Sequence, residues 1–512
     1  MIFAKNEKNQ SGFLLVEIML ALAVAVCAIA AAGLMAFAGQ TMSVDSELDA
    51  QALEMAQRLI EEQRILAGDD FRRVNSTSTA EGIFSGRVNV SRHDFFVKSI
   101  SAAVNWNING RNRQTEISAL IADYGNTAGN DTCDSNLTGD WKNPQIVKVI
   151  DFSDFAENAS STYAIGDIDV YKNKLYVAME KTGTKKDSTL FVFDISNPSM
   201  PILLDKIDNN NAAMAGINAI TVNKNYAYAA STGVKQFQII GINAGPLKII
   251  PTDKISGGGD GQSIFYKDGY IYLGLASKNN VPEFHIIDVR NLSSVVEVGH
   301  WPLDGGLRHN INDIYVKGNY AYLAHPTDAD GSGGCPQEQL TVLNISNPAN
   351  PYRVGGFYDY GALGNGKISY LIGDVIYFGR TSSNTSGLSD AIPEFYILDN
   401  SMPENLQNKN SVLPRPYAKE ISSSANGLIV RDYLAFLLTT KQSEKPGEFQ
   451  IIRIDLPENI SSYANAITLP DSGEENALKT GSGAAMDCEG NYLYVASIDG
   501  AGKSYISIIT AP

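Results

Sequence analysis

One pattern limits what this chain of 512 residues can fold into more than any other. Short strands with an aromatic or aliphatic centre recur along most of its length: KLYVA at 174–178, NYAYA at 225–229, GYIYL at 269–273 and NYAYL at 319–323. DVIYF at 374–378, DYLAF at 432–436 and NYLYV at 491–495 continue the series. Each has a strand-like segment before it, such as 168–171 or 314–316, and another after it, such as 190–195 or 340–345. A proline-marked turn then leads to a fourth, as at 202–207. Repetition at this period, with four strands per repeat, is the signature of a β-propeller.

The turns Asp194-Ile195-Ser196-Asn197-Pro198 and Asn344-Ile345-Ser346-Asn347-Pro348, each followed by a second proline at Pro201 or Pro351, resemble those of the LVIVD-repeat propeller family. Counting units predicts seven blades, the last of which stops at Pro512 after its third strand. Its missing strand is expected upstream, because Asn143-Pro144 followed by 146–152 copies the turn-and-strand pattern of Asn197-Pro198 followed by 202–207. The propeller is therefore assigned to 144–512, with the 144–152 strand closing the ring and removing an unpaired edge.

Cysteine placement bears on that closure. Cys488 is expected in the turn between the first two strands of the last unit and Cys133 just ahead of the closing strand, on one face of the domain. A Cys133–Cys488 disulfide would fasten the two ends and suits an extracytoplasmic compartment. Cys27 is expected to be a plain apolar residue, and Cys335 has no obvious partner.

The chain begins differently. Residues 13–38 form an apolar run preceded by Gly12 and broken by one acid, Glu17. A carboxylate in a membrane-length apolar helix costs about 2.5–3.5 kcal/mol, so it normally has a partner and a task. The pattern resembles the class III leader of type IV prepilins and type II secretion pseudopilins, with Leu14 departing from the family's usual threonine. The resemblance implies a leader at 1–12, cleavage after Gly12 by a prepilin peptidase, N-methylation of Phe13, and a role for Glu17 in meeting a neighbouring subunit's N-terminus during assembly. It also implies other pilins or pseudopilins as partners, and the bacterial inner membrane before transfer to a pilus or the cell surface. An ordinary secretory signal, with Ala36-Phe37-Ala38 before Gly39 as its cleavage site, and a simple membrane anchor are the alternatives.

Val44, Leu48, Ala52, Met55 and Leu59 continue the run along one helical face, predicting one assembly helix over 13–67, about 80 Å long. Strand patterns at 83–90, 100–108 and 117–121, with a turn at Asn109-Gly110, predict a small antiparallel sheet within 68–126 and a linker at 127–143. Long helix then small sheet is the pilin plan, so the expected fold is an α+β pilin-like domain followed by an all-β propeller.

With 40 basic against 56 acidic side chains, the net charge of −16 provides no broad basic surface for nucleic acid. The catalytic motifs of nucleophile elbow, phosphate loop and zinc helix are missing from the sequence. The repeated acids Asp194, Asp288, Asp399 and Asp455 are expected to cap turns. Asp328-Ala329-Asp330-Gly331 resembles part of a calcium loop, the one cofactor the sequence suggests. Position 339 is Gln339 rather than the closing acid, with Glu338 adjacent, so a solvated turn is the better reading. His309 and His325 are placed at one rim near Asp328, where two imidazoles could hold a metal, although histidines so separated are usually unrelated. No catalytic residue and no bound cofactor are expected.

Loops after the second strands, the longest at 326–338 and 380–394, are polar and should share one face. By fold analogy that face suits a glycan or protein ligand. The expected function is a minor pilin or pseudopilin that displays a propeller for adhesion or partner recognition. The alternatives are a membrane-tethered enzyme using the central channel and a pseudopilin that binds secreted cargo.

Overall fold

The computed structural model describes residues 11–69, 74–92, 97–108, 110–122, 132–133, 139–155, 163–180, 188–208, 215–243, 245–252, 255, 259–276, 281–303, 310–326, 338–358, 364–381, 393–406, 417–421, 423–441, 447–455, 459–473 and 481–512. The chain divides into two compact units, Met1–Asp123 and Tyr124–Pro512.

In the first unit a proline-free stretch rich in alanine and leucine forms one helix, α1 (Ser11–Asp69). Within it Ile18–Met35 is long and apolar enough to cross a membrane, and none of those side chains is buried. Further along, the stripe Ala52, Met55, Ala56, Leu59 and Ile60 is buried. It packs on an antiparallel sheet of β1 (Thr77–Glu81), β2 (Phe84–Arg92), β3 (Val97–Ile108) and β4 (Arg111–Ala122), in that order. Val88, Ile100, Val104 and Trp106 supply the sheet's side of the core. Gly86 lets the helix close, because a Cβ there would lie 2.8 Å from Leu59 Cδ1. Arg113 reaches Asp45 at 3.3 Å, and Arg58 pairs with Glu81.

Two details depart from expectation. Val44 is exposed although Leu48, one turn on, packs against the core; Val44 lies before the part of α1 that meets the sheet. Strand β1, all of it exposed, has too little apolar pattern to announce itself.

The second unit opens with β5 (Thr132–Cys133) and β6 (Gln145–Asp151). Antiparallel four-stranded meanders follow. The first is β7 (Ile165–Val170), β8 (Lys174–Met179), β9 (Ser188–Asp194) and β10 (Ile202–Asp208). The second is β11 (Gly216–Asn223), β12 (Tyr226–Thr232), β13 (Phe237–Gly241) and β14 (Lys248–Ile250), and the third β15 (Gly261–Lys267), β16 (Tyr270–Leu275), β17 (Phe284–Asp288) and β18 (Val296–Trp301). Next come β19 (Asp313–Lys317), β20 (Tyr320–Ala324), β21 (Leu340–Asn344) and β22 (Tyr352–Phe357), then β23 (Gly366–Ile372), β24 (Val375–Arg380), β25 (Phe395–Asp399) and β26 (Tyr417–Lys419).

The remaining strands are β27 (Ala425–Arg431), β28 (Leu434–Lys441), β29 (Phe449–Arg453), β30 (Ser461–Ser462), β31 (Gly481–Gly490), β32 (Tyr492–Asp499) and β33 (Ser504–Thr510). They merge into a nine-stranded sheet because the end of β28 pairs with the start of β31, Thr440 opposite Ser482. Strand β6, from far upstream, pairs antiparallel with β33, Val149 opposite Ser507. The segment expected at 146–152 thus lies beside the last strand of the chain.

First strands touch in the order β7, β11, β15, β19, β23, β27, β31, and β31 touches β7 again, so the array is a propeller-like ring. Its core is distributed between neighbouring sheets. One cluster joins Ile168 and Val177 of the first meander to Ala496 and Ile508 of the last sheet. Glycine permits close approach at the periphery: a Cβ on Gly299 in β18 would sit 1.9 Å from the Pro348 carbonyl of the next meander's turn. In the expected turns, Asp194 accepts the Ser196 N–H at 2.8 Å, Asp288 that of Arg290 at 3.0 Å and Asp399 that of Ser401 at 2.9 Å. Asp455 pairs with the Arg453 guanidinium at 2.6 Å, and the turn that follows it lies outside the described residues.

Because backbone rather than a flexible side chain opposes Gly299, Gly299→Ala should lower unfolding stability by about 1–3 kcal/mol. Urea denaturation monitored by tryptophan fluorescence checks this, and an unchanged midpoint would show that the two backbones are not in contact.

Candidate functional site

Strands β7, β11, β15, β19, β23 and β27 each pair with the strand that follows on one side only, leaving N–H groups on the other side to find partners elsewhere. Carboxylates from the neighbouring meander take several of them. Asp167 in β7 accepts the Ile220 N–H of β11 at 2.9 Å, and Asp169 accepts that of Val222 at 3.0 Å. Asp487 in β31 accepts the Val170 N–H of β7 at 2.5 Å, while Glu489 holds the Asn173 N–H at 2.8 Å. Asp313 in β19 accepts from both the N–H and the hydroxyl of Ser369 in β23, at 2.7 and 2.9 Å.

Aromatic contacts reinforce the junctions among the third, fourth and fifth meanders. Phe265, Tyr315 and Tyr370 form a chain of ring contacts at 5.2 and 5.9 Å, and the Tyr315 hydroxyl donates to the Leu371 carbonyl at 3.2 Å. Amide side chains add another set of links. Asn218 donates to the Gly261 carbonyl at 2.7 Å, Asn312 to that of Gly366 at 2.6 Å, and Asn426 to the Ser482 hydroxyl at 2.9 Å. The bulges that skip Asn218 and Asn426 in the ladder free these residues to reach across.

The acids within the ring are only partly hidden from solvent, yet protein surrounds them on every side, and that enclosure governs their charge. Burial pushes the Asp167 carboxyl up to about 7, with Asp313, three meanders along, adding to the effect. Burial likewise raises Asp313 to about 6. Asp169 is held well above the carboxylate range by burial and by Asp487. Lys367 and Glu180 face each other electrostatically from the fifth and first meanders. Burial lowers the lysine and raises the glutamate, and each offsets the other's shift. The lining can hold protons and bind backbone amides. Among the described residues, no three histidine, cysteine or acidic groups are arranged to hold a metal.

The sequence-based candidates are placed as follows. Gly12, Phe13 and Glu17 lie in α1, with side chains outside the described residues. Cys133 is in β5, whose backbone runs parallel to β31 with Cys133 opposite Gly490. Cys488 is in β31 itself and fully buried, not in the turn that follows, because the strand continues to Gly490. His309, Asp328, Asp330 and Cys335 lie outside the described residues, as do most of the two long loops. His325 directly follows β20. It is fully buried, with Nδ1 2.8 Å from the Pro326 carbonyl and Nε2 2.8 Å from the Thr341 hydroxyl.

Sequence reasoning missed the carboxylate clasps. Their signal was an acid at alternate positions of otherwise apolar first strands, as in Asp167 and Asp169. It also missed a second repeated device. Glu283, Glu394 and Glu448, each preceding a phenylalanine that opens a third strand, accept the N–H of Leu303, Ile421 and Leu469 at 2.8, 2.9 and 3.0 Å. The recurring Glu-Phe pair was the clue.

The LVIVD repeat model matches residues 165–209, 258–301 and 310–359. A candidate 6-phosphogluconolactonase from Bacteroides fragilis aligns over 77% of this chain and 98% of its own, at 10% identity and a TM-score of 0.41. Apo AztD from Citrobacter koseri aligns over 64% and 92%, at 13% identity and a TM-score of 0.34. No curated protein matches the chain.

A carboxyl raised to about 7 in the folded ring keeps its proton between about pH 4 and 7, where the unfolded chain has released it. Its contribution to stability is therefore present in acid and lost as pH rises through about 7. Asp167→Asn removes that dependence, so the stability of the variant relative to the parent should rise from pH 4.5 to 8. Melting temperatures across that series test it; parallel curves would mean that Asp167 is not enclosed.

Proposed function

We propose that the chain is a minor type IV pilin or pseudopilin that carries a seven-bladed propeller for adhesion or partner recognition at the cell surface or a filament tip. The observation that carries this reading is helix α1. It is continuous from Ser11 to Asp69, exposes apolar side chains throughout Ile18–Met35, and buries a stripe against an antiparallel sheet thereafter. A cleaved secretory signal has no need of a helix that continues without interruption into a folded head. An anchor has no need of Glu17.

The blade count rests on the ring of first strands, with β31, β32, β33 and β6 as the last blade. The ends of that unit are inferred to be joined covalently. Cys488 is disulfide-bonded, and β5 brings the Cys133 backbone beside Gly490. Such a bond suits an exported domain. The ligand is expected to be a glycan or protein met by the polar loops, and the partners are a prepilin peptidase and other pilin-like subunits.

Mass spectrometry of the mature N-terminus tests the reading. An N-methylated Phe13 is expected, whereas a chain beginning at Gly39 would sink it. Glu17→Ala should leave cleavage after Gly12 intact while reducing incorporation into sheared filaments at least tenfold, measured by immunoblot. Equal incorporation would remove the assembly role of Glu17.

A further inference from the structure

Beyond display, the sixth meander holds a cluster of one amine and two carboxyl groups. Lys441 ends β28 where that strand crosses to β31, opposite Gly481. Its Nζ lies 3.1 Å from Asp471 Oδ2 and 3.6 Å from Glu448 Oε1, and the three side chains are only 11%, 16% and 5% exposed. The remaining carboxylate oxygens are held by backbone: Asp471 Oδ1 accepts the Gly473 N–H at 2.9 Å, and Glu448 Oε2 accepts that of Leu469.

Glu448 occupies the clasp position already seen at Glu283 and Glu394, so its bond to Leu469 is a structural duty shared with the third and fifth meanders. A clasp needs nothing more. Two residues beyond the clasped amide, however, stand Gly305 and Ser423 in those meanders and Asp471 in the sixth. The additional acid and the lysine meet at the one clasp where an amine, a carboxyl and a second carboxyl touch among the described residues.

We propose that Lys441 and Asp471 are joined by a self-formed isopeptide bond, with Glu448 as the proton carrier. The Lys441 amine attacks Asp471 Cγ after giving a proton to Glu448 Oε1. A bond forms between Nζ and Cγ. Negative charge develops on Oδ1, where the Gly473 N–H already stands to stabilise it. The Cγ–Oδ2 bond then breaks. The two protons lost by the ammonium leave with that oxygen as one water molecule, so an ammonium and a carboxylate become an amide and water. No oxidant, reductant or further reactant is needed. Fixed juxtaposition supplies the effective concentration that makes such a condensation favourable inside a protein. The product closes the loop between β28 and the segment after β30 at the junction with the closing sheet, which stabilises the ring by restricting its unfolded state.

The test is the mass of the full-length chain, reduced and denatured, with tryptic mapping. The expected result is a chain lighter by one water and a branched peptide that joins Lys441 to Asp471. Lys441→Arg and Asp471→Ala should recover the full mass. Glu448→Gln should leave at least nine-tenths of the chain uncrosslinked while its far-UV circular dichroism stays that of the parent. A folded parent chain of full mass, cleaved by trypsin after Lys441, overturns the proposal. So does a lost water mapped to any other pair, or a Glu448→Gln chain that crosslinks fully.

Discussion

A carboxylate of one meander holding a backbone N–H of the next is the interaction on which the ring depends. A first strand has ladder bonds on one side, and its other side would present unpaired amides to the enclosed interior of the ring. Asp487 reaches β7, Asp167 and Asp169 reach β11, and Asp313 reaches β23. Each therefore does two things: it completes hydrogen bonding along an open edge, and it fixes the angle between neighbouring sheets. The enclosure that makes these bonds strong also penalises the charges that make them, which is why Asp167 and Asp313 hold their protons toward neutral pH. The cost falls on the lining and the benefit on closure.

Closure then determines what the unit can do. The seam between the end and the beginning of the ring is fastened by strand β6 on β33, by Asp487 and Glu489 on the first meander, and by the shared core of Ile168 and Ile508. The first unit is built on a different principle. Its helix has one apolar stretch whose side chains are exposed among the described residues and one stripe that packs on a sheet. On the proposed reading, the exposed stretch is satisfied by membrane and then by neighbouring subunits.

Much of this architecture could be read from residue patterns. The apolar and tyrosine-rich second strands marked the meanders, because strands buried on both faces need a continuous apolar or aromatic run, and Asn143-Pro144 pointed to the displaced strand β6 because its turn copied Asn197-Pro198. The site was less legible. Asp167 or Asp487, seen in sequence, is an acid in a strand, and nothing local says which amide three-dimensional closure brings to it. Acids that do announce themselves, such as Asp194 and Asp288, act within their own turn, where spacing alone is sufficient. His325 is alike in this respect, since its contacts are the Pro326 carbonyl beside it and Thr341 of the next strand.

The central claim is that α1 is a filament stem and the ring its cargo. Immunogold labelling of filaments sheared from cells that express the chain, with antibody raised against residues 144–512, tests that claim most directly. Gold at filament ends or at rare points along them is the expected result. Gold confined to the cell envelope, with bare filaments, would contradict it.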